Sequence, residues 1–316
     1  MVTTPRPVKD TADLNLLTLI ERFHDEDKCR AFLEGLRWPD GVACLRCGSM
    51  SVGRITTRNL FQCQDCAYQF SATVGSVFQD SKLPLYKWFA AAYLMCESKK
   101  GISSNQLKRT LGVTYKTAWF LTHRIRAGMA AVAREELTGI IEADETFVGG
   151  KLRFRGRPGH TGPVPGSNAM SNKTIVLGAL ARGGDVRFRV SPTRTGGAIK
   201  TFFEDHIADS AAAIYTDDFS GYIGIADEDT AHESVNHSAK EYVRGDVHTN
   251  GIESVWSLLK RSIIGSFHQL SEKHLDAYLV ELEWRFNNRE NPYLFRDTIK
   301  AMLNAEALRY QELIQD

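Results

Sequence analysis

Two Cys-x-x-Cys pairs, Cys44-Leu45-Arg46-Cys47 and Cys63-Gln64-Asp65-Cys66, stand with fifteen residues between them. No other feature of the chain restricts its fold as tightly. The spacing is that of a four-thiolate zinc site, in which each pair occupies a tight knuckle and a short hairpin brings both knuckles to one ion. Segments 51–55, 60–63 and 69–72 have the short, partly alternating pattern of the strands such a hairpin needs. Cys44, Cys47, Cys63 and Cys66 would fill a tetrahedral coordination shell, so this zinc is expected to be structural. Two disulfides are the competing use of four cysteines. Residues 1–10 carry no apolar core of the leader type, so the chain reads as cytoplasmic, where thiols stay reduced. Cys29 and Cys96 fall on apolar helical stripes and read as packing residues.

Around this module the chain divides by pattern. Residues 1–41 read as an N-terminal helical segment, 42–76 as the zinc ribbon, 77–137 as a helical segment and 138–316 as an α/β domain with C-terminal helices. Net charge is only +1 over 316 residues, which by itself points to no polyanionic partner. The distribution says more: eight Lys and Arg face Glu97 alone between residues 97 and 134. That segment reads as a helix from Pro84, a short helix capped by Ser103 or Ser104, a turn at Gly112-Val113, and a longer helix capped by Thr114. This is a helix-turn-helix pattern. Tyr115, Lys116 and Thr117, at the start of the last helix, are the expected groove-facing residues, with Arg124 and Arg126 reaching phosphates. No apolar run approaches a membrane span, so no membrane partner is expected.

After residue 138 the apolar period becomes strand-like. Residues 140–150 read as a β-branched strand interrupted by Glu142, Asp144 and Glu145. Residues 151–173, rich in Arg, Gly, Pro and Ser, read as a long loop. Segments 174–180 and 186–190 read as a strand pair, 195–207 as a helix, and 211–218 as a buried strand ending on Asp217 and Asp218. Residues 221–249 show little pattern apart from Val235-Asn236-His237. Asn250 to Arg261 then splits into two stripes at helical spacing: Ile252, Val255, Trp256, Leu259 and Ile263 on one, Asn250, Glu253, Ser257 and Lys260 on the other. Gly265 is expected to stop this helix. Two further helices are expected over 271–287 and 297–310.

A strand with internal acids, two strands, a helix, a strand ending in acids and a helix bearing Glu253 is the order of a ribonuclease-H-like α/β domain. That layout gathers the acids at one sheet edge. Gathered carboxylates repel unless cations neutralise them, so three together imply divalent metal. Asp217 and Asp218 both fit the second place.

On these residues the chain resembles bacterial insertion-sequence transposases with an N-terminal zinc ribbon and a DDE catalytic domain. The resemblance covers about residues 23–289. It rests on Leu36-Arg37-Trp38-Pro39-Asp40-Gly41, the four cysteines, Gly101-Ile102-Ser103, Thr117-Ala118-Trp119, Glu142-Ala143-Asp144-Glu145, Thr216-Asp217, and His248-Thr249-Asn250-Gly251-Ile252-Glu253 with Lys260 beyond. Leu45 departs from the pattern, standing where the family usually places proline. The resemblance implies Asp144, Asp217 and Glu253 as ligands of Mg2+ or Mn2+, with Lys260 contacting DNA beside them. It implies binding to the terminal repeats of the element and to target DNA, with assembly as a homodimer or higher oligomer on DNA and a nucleoid-associated location. The implied activity is DNA cleavage and strand transfer without a covalent protein–DNA intermediate. A DNA-binding protein that has lost catalysis, or a ribonuclease-H-type nuclease that only hydrolyses, are the alternatives.

Overall fold

The structure of the protein, a computed structural model, describes residues 14–149, 173–225, 230–236, 239, 241, 243–268 and 270–315. The loop read over 151–173 lies outside these residues except for Lys173. The chain forms two compact units, residues 1–132 with 290–316, and residues 133–289.

The first unit starts with α1 (Leu16–Phe23) and α2 (Glu26–Arg37). Each start is closed by a side chain: Asn15 accepts from the Leu17 and Thr18 amides, and Asp25 from the Asp27 amide. A three-stranded antiparallel sheet follows, β1 (Val52–Ile55), β2 (Leu60–Cys63) and β3 (Gln69–Phe70), in the order β1-β2-β3. Its small core is aromatic, with Trp38 edge-on to Phe61 and Phe70. Arg54 of β1 pairs with the buried Glu34 of α2 at 2.7 Å, tying the hairpin to the helix before it. Then come α3 (Leu85–Glu97), α4 (Ser104–Leu111) and α5 (Tyr115–Ala130), with Ser103 and Thr114 as caps of the last two. The helix-turn-helix expectation stands, with residues 112–114 as the turn.

The second unit is built on a five-stranded sheet. β4 (Ile140–Val148), β5 (Thr174–Ala181) and β6 (Val186–Ser191) are antiparallel; α6 (Gly196–His206) crosses over; β7 (Ala213–Asp217) and β8 (Ala231–Val235) run parallel to β4. The order is β6-β5-β4-β7-β8, the mixed ribonuclease-H-like sheet expected from the element order. Alternation sorts β4 and β5 cleanly. Ile141, Ala143, Leu177 and Ala179 face Ile199, Phe202 and Phe203 of α6. Val176 and Leu180 face the opposite side, where α7 (Asn250–Ser262) and α8 (Glu272–Asn287) bring Ile252, Val255, Trp256, Leu259, Leu275 and Leu279. Each such side chain taken fully out of water contributes roughly 1.5–3 kcal/mol. Both sheet faces are therefore covered, and the acids of β4 and β7 reach one end between the layers.

Four sequence expectations change. The strand β8 lies in the stretch read as unpatterned. Gly265 does not stop α7: the chain continues through a π-helical turn, Ile263–Phe267, and leaves it at His268 with φ 62°. The predicted helix over 297–310 is instead α9 (Leu294–Asn304) and, separately, α10 (Tyr310–Ile314). Finally, residues 290–316 do not belong to the α/β domain, as the boundary 138–316 has it. They complete the first unit, where Phe295 joins Phe23, Phe32 and Phe89 in one aromatic cluster with centroids 4.9–6.2 Å apart. Among the described residues no helix is long and apolar enough to cross a membrane.

Candidate active site and metal centre

The four ribbon thiols converge. Cys44 Sγ is 3.6 Å from Cys66 Sγ, Cys47 Sγ is 3.6 Å from Cys63 Sγ, and all four lie within 4.8 Å of one another. Thiolates on a tetrahedral zinc at about 2.3 Å stand roughly 3.8 Å apart, so the set fits that ion. Each knuckle is a backbone turn: the Cys44 amide donates to Ser49 O and the Gly48 amide to Cys44 O, and Cys63 N donates to Tyr68 O. Arg46 lies over the Tyr68 ring, holding one knuckle against the other. Leu45, between two of the ligands, is exposed and displaces none of them. Cys29 and Cys96 are buried, as packing residues should be; burial pushes the Cys29 thiol up to about 12.

The acidic site is assembled by strand register. β4 and β7 pair in parallel up to Glu142 opposite Tyr215. Asp144 and Asp217 each stand two residues beyond that last pair, and the Asp217 carboxylate is close enough to act on Asp144. Burial first, then the neighbouring Glu145 and Asp217 carboxylates, raise the Asp144 carboxyl to about 7. Its Oδ2 accepts from Trp256 Nε1 of α7 at 2.9 Å, and its Oδ1 from the Glu145 amide at 2.8 Å. The indole reaches it by lying across Gly178, the β5 partner of Asp144; a Cβ there would stand 2.4 Å from the ring. Asp217 accepts from the Phe219 amide at 3.0 Å, whereas Asp218 is exposed in the bend beyond the strand.

Glu253 is exposed on the first turn of α7, and its Oε1 accepts from Thr249 Oγ1 at 3.1 Å. Asp144, Glu145, Glu253, Trp256, Ser257 and Lys260, with Arg261 and Ile264, line one open cleft of about 430 Å³. Asn250, one turn before Glu253 on the same stripe, is not in that lining. Among the described residues the four cysteines are the set of three or more donors close enough for one ion. Asp144 and Glu253 line the cleft, whereas Asp217 is not in its lining and bears on Asp144 through its charge. Carboxylate oxygens such as those of Asp144 and Glu253, the former raised to about 7 first by burial and then by its carboxylate neighbours, are nevertheless the donor chemistry of a hard divalent cation.

The other two acids of β4 are engaged elsewhere. Glu145 accepts from Tyr222 OH at 2.8 Å and from Arg194 at 3.3 Å. Glu142 is buried and paired with Arg182 at 2.8 Å. Trp256, Thr249 and Tyr222 escape a reading of the sequence. Trp256 reads as a core residue, and no pattern distinguishes an indole whose N–H meets a carboxylate.

Of the helix-turn-helix residues, Tyr115 and Lys116 are exposed at the start of α5, and Thr117 is half-buried, bonded to Thr114. Lys116 Nζ lies 4.2 Å from the Tyr310 ring centre. Arg124 and Arg126 do not extend into solvent as expected: they are 6% and 1% exposed, Arg124 at the wall of an open pocket and Arg126 enclosed. Arg124 donates to Gln79 O at 2.6 Å and lies over the Trp88 and Phe120 rings; Arg126 donates to Thr122 Oγ1 at 3.3 Å. A stripe analysis of α5 sees one apolar face, but α3, α4 and α9 all pack on it and enclose the rest.

Two segments of the chain match known families. Residues 24–69 match the transposase zinc-ribbon domain, and residues 136–287 match the ISXO2-like transposase domain. A protein in transposable element ISH50 of Halobacterium salinarum is 32% identical over 277 residues, 84% of this chain and 92% of that one. A transposase-like protein of Haemophilus influenzae is 35% identical over 77 residues, 24% of this chain and 61% of its own. Among solved structures, a chain of the Mos1 strand transfer complex aligns over 68% of this chain and 74% of its own, at 11% identity and a TM-score of 0.30.

Proposed function

The chain belongs to the ISXO2-like transposase family, and from that premise we propose that it binds the ends of its element, cleaves them and joins them to target DNA. The observation that carries the reading is the cleft in which Asp144, Glu253 and Lys260 meet, with the Asp217 carboxylate on the next strand near enough to act on Asp144. A divalent cation, Mg2+ or Mn2+, held by Asp144, Asp217 and Glu253 would supply the Lewis acidity that attack on a phosphodiester needs. The protein's own side chains set the stage for it. Trp256 fixes one oxygen of Asp144, and Thr249 orients Glu253. Lys260 and Arg261 offer cationic contacts to the DNA backbone along the same helix face. Asp217 rather than Asp218 is the second ligand, because Asp217 bears on Asp144 while Asp218 faces solvent. Joining requires two element ends together, so assembly as a homodimer or higher oligomer on DNA belongs to this reading.

The test is joining of labelled element ends to target DNA with Mg2+ or Mn2+. Joined products are expected. Cut but unjoined ends would leave a nuclease, and end binding with neither would leave a DNA-binding protein. The pH dependence has a definite sign. Below about 7 the Asp144 carboxyl keeps its proton, and above it the anion is available to a cation. Between about pH 6 and pH 8 the metal concentration for half-maximal joining should therefore fall about tenfold, as expected for one displaced proton. A requirement that is flat over this range would remove Asp144 from the set.

End recognition is assigned to the start of α5. Lys116→Gln should reduce the salt dependence of end binding by about one unit of slope, one phosphate contact being lost. Arg124→Gln should leave the slope alone and instead destabilise the first unit by about 2 kcal/mol, through a lost buried hydrogen bond and ring contacts. Salt titrations of both variants, with their melting curves, separate the two effects. A slope changed by Arg124→Gln in a fully folded protein would return that guanidinium to the DNA.

A further inference from the structure

α7 begins without a cap of its own. Thr249 occupies the N-cap position, yet its side chain caps no amide of the helix; its hydroxyl donates to Glu253 Oε1 instead. Amides of a first helical turn need partners, the more so where the helix start is covered by a sheet. Here they find one on β4. Glu142 Oε2 accepts from the Gly251 amide at 2.7 Å and the Ile252 amide at 3.1 Å. Its other oxygen takes Arg182 Nε at 2.8 Å, and Arg182 Nη2 donates onward to His248 O at 3.1 Å. The fit is close: a Cβ on residue 251 would stand 2.7 Å from Glu142 Oε2, so glycine is needed for the helix to sit on the carboxylate. A carboxylate at a helix N-terminus is favourably placed, and Arg182 balances its charge. Glu142, 1% exposed, is thus occupied on both oxygens.

We propose that Glu142 is a positioning residue: it caps α7 from the neighbouring strand, which releases the Thr249 hydroxyl to orient the Glu253 carboxylate. This rests on the reading of Asp144, Asp217 and Glu253 as the cation-holding acids. Two residues along one strand then do complementary work, Asp144 as an acid of the site and Glu142 as the anchor of the helix bearing another.

The experiment is Mn2+ binding to the full chain with its zinc site filled, followed by loss of the free-ion paramagnetic resonance signal well below the unfolding temperature. Wild type, Asp144→Asn, Glu142→Gln, Thr249→Val and the Glu142→Gln/Thr249→Val pair are compared. The amide introduced by Glu142→Gln would turn an NH2 group towards donors that need an acceptor. Glu142→Gln and Thr249→Val should each weaken Mn2+ about tenfold, the usual scale for a residue supporting a ligand, with far-ultraviolet dichroism unchanged. The double variant should be no weaker than the worse single, since both act through one carboxylate. A folded Glu142→Gln that binds Mn2+ like wild type overturns the proposal, and so do fully additive losses. If Glu142→Gln does not fold, Thr249→Val decides: a tenfold loss supports the proposal and no loss overturns it. Wild-type binding that Asp144→Asn leaves untouched would instead sink the metal reading itself, taking this inference with it.

Discussion

Glu253→Gln should leave binding to element ends intact and lower both cleavage and joining by about 10³-fold or more, the loss expected on the proposed reading of Glu253 as a metal-holding charge at a phosphoryl-transfer site. The substitution keeps size and helix propensity, and the new amide retains an acceptor for the Thr249 hydroxyl, so α7 is not perturbed. Asp144→Asn should fail to the same degree. Glu145→Gln is the control and should retain more activity than Asp144→Asn, because Tyr222 and Arg194 already occupy that carboxylate. Glu142 cannot serve as a second control: its carboxylate holds the start of α7, and its amide variant is expected to suffer for that reason. Asn250→Ala tests the competing residue on the same stripe. If Asn250→Ala abolishes joining and Glu253→Gln joins normally, the helix is right and the residue wrong.

Cys47→Ser or Cys63→Ser should abolish stoichiometric zinc and loosen residues 42–70. In a four-thiolate site the metal's binding free energy, on the order of 10 kcal/mol or more, becomes folding free energy. The ribbon has little else: its core is a few aromatic side chains around Trp38, Phe61 and Phe70. The second unit has its own core on both faces of its sheet and should stay folded. Metal analysis and amide exchange of purified protein check both halves of the expectation. One zinc per chain, lost with chelator as the ribbon amides lose protection, is the predicted result; no zinc and no response to chelation would end the assignment.

How much of this fold is legible in the chain follows from what each signal measures. Cysteine spacing is a direct statement about ligand geometry, and the ribbon strands fall within two residues of the expected bounds. β4 announces itself by β-branched residues interrupted by acids, β7 by small and β-branched apolar residues ending on Asp217, and α7 by its two stripes. β8, Ala231 to Val235, escapes because an edge strand with only Val235 fully buried carries almost no apolar alternation. Arg124 and Arg126 mislead because charge is an argument for solvent only when nothing else packs on the helix, and α9 arrives from far along the chain. The same limit misplaces residues 290–316: a helical period states that a face is buried, not which core buries it. The indole bond to Asp144 depends on Gly178 being flat beneath the ring, a relation between two strands and a helix that no single stretch contains.

The return of residues 290–316 to the first unit has a consequence for the order in which a growing chain can finish its parts. The second unit, 133–289, is continuous in sequence and can close as soon as Arg289 is free of the ribosome. The unit that begins the chain must wait longer: the aromatic cluster around Phe23 lacks Phe295, and Cys96 and Val77 lack their partners Thr298 and Met302, until the last helices are made. A chain stopped near residue 290 therefore carries an intact acidic site on an unfinished first unit. Nonsense and frameshift lesions late in the gene should abolish end recognition before they touch the acids.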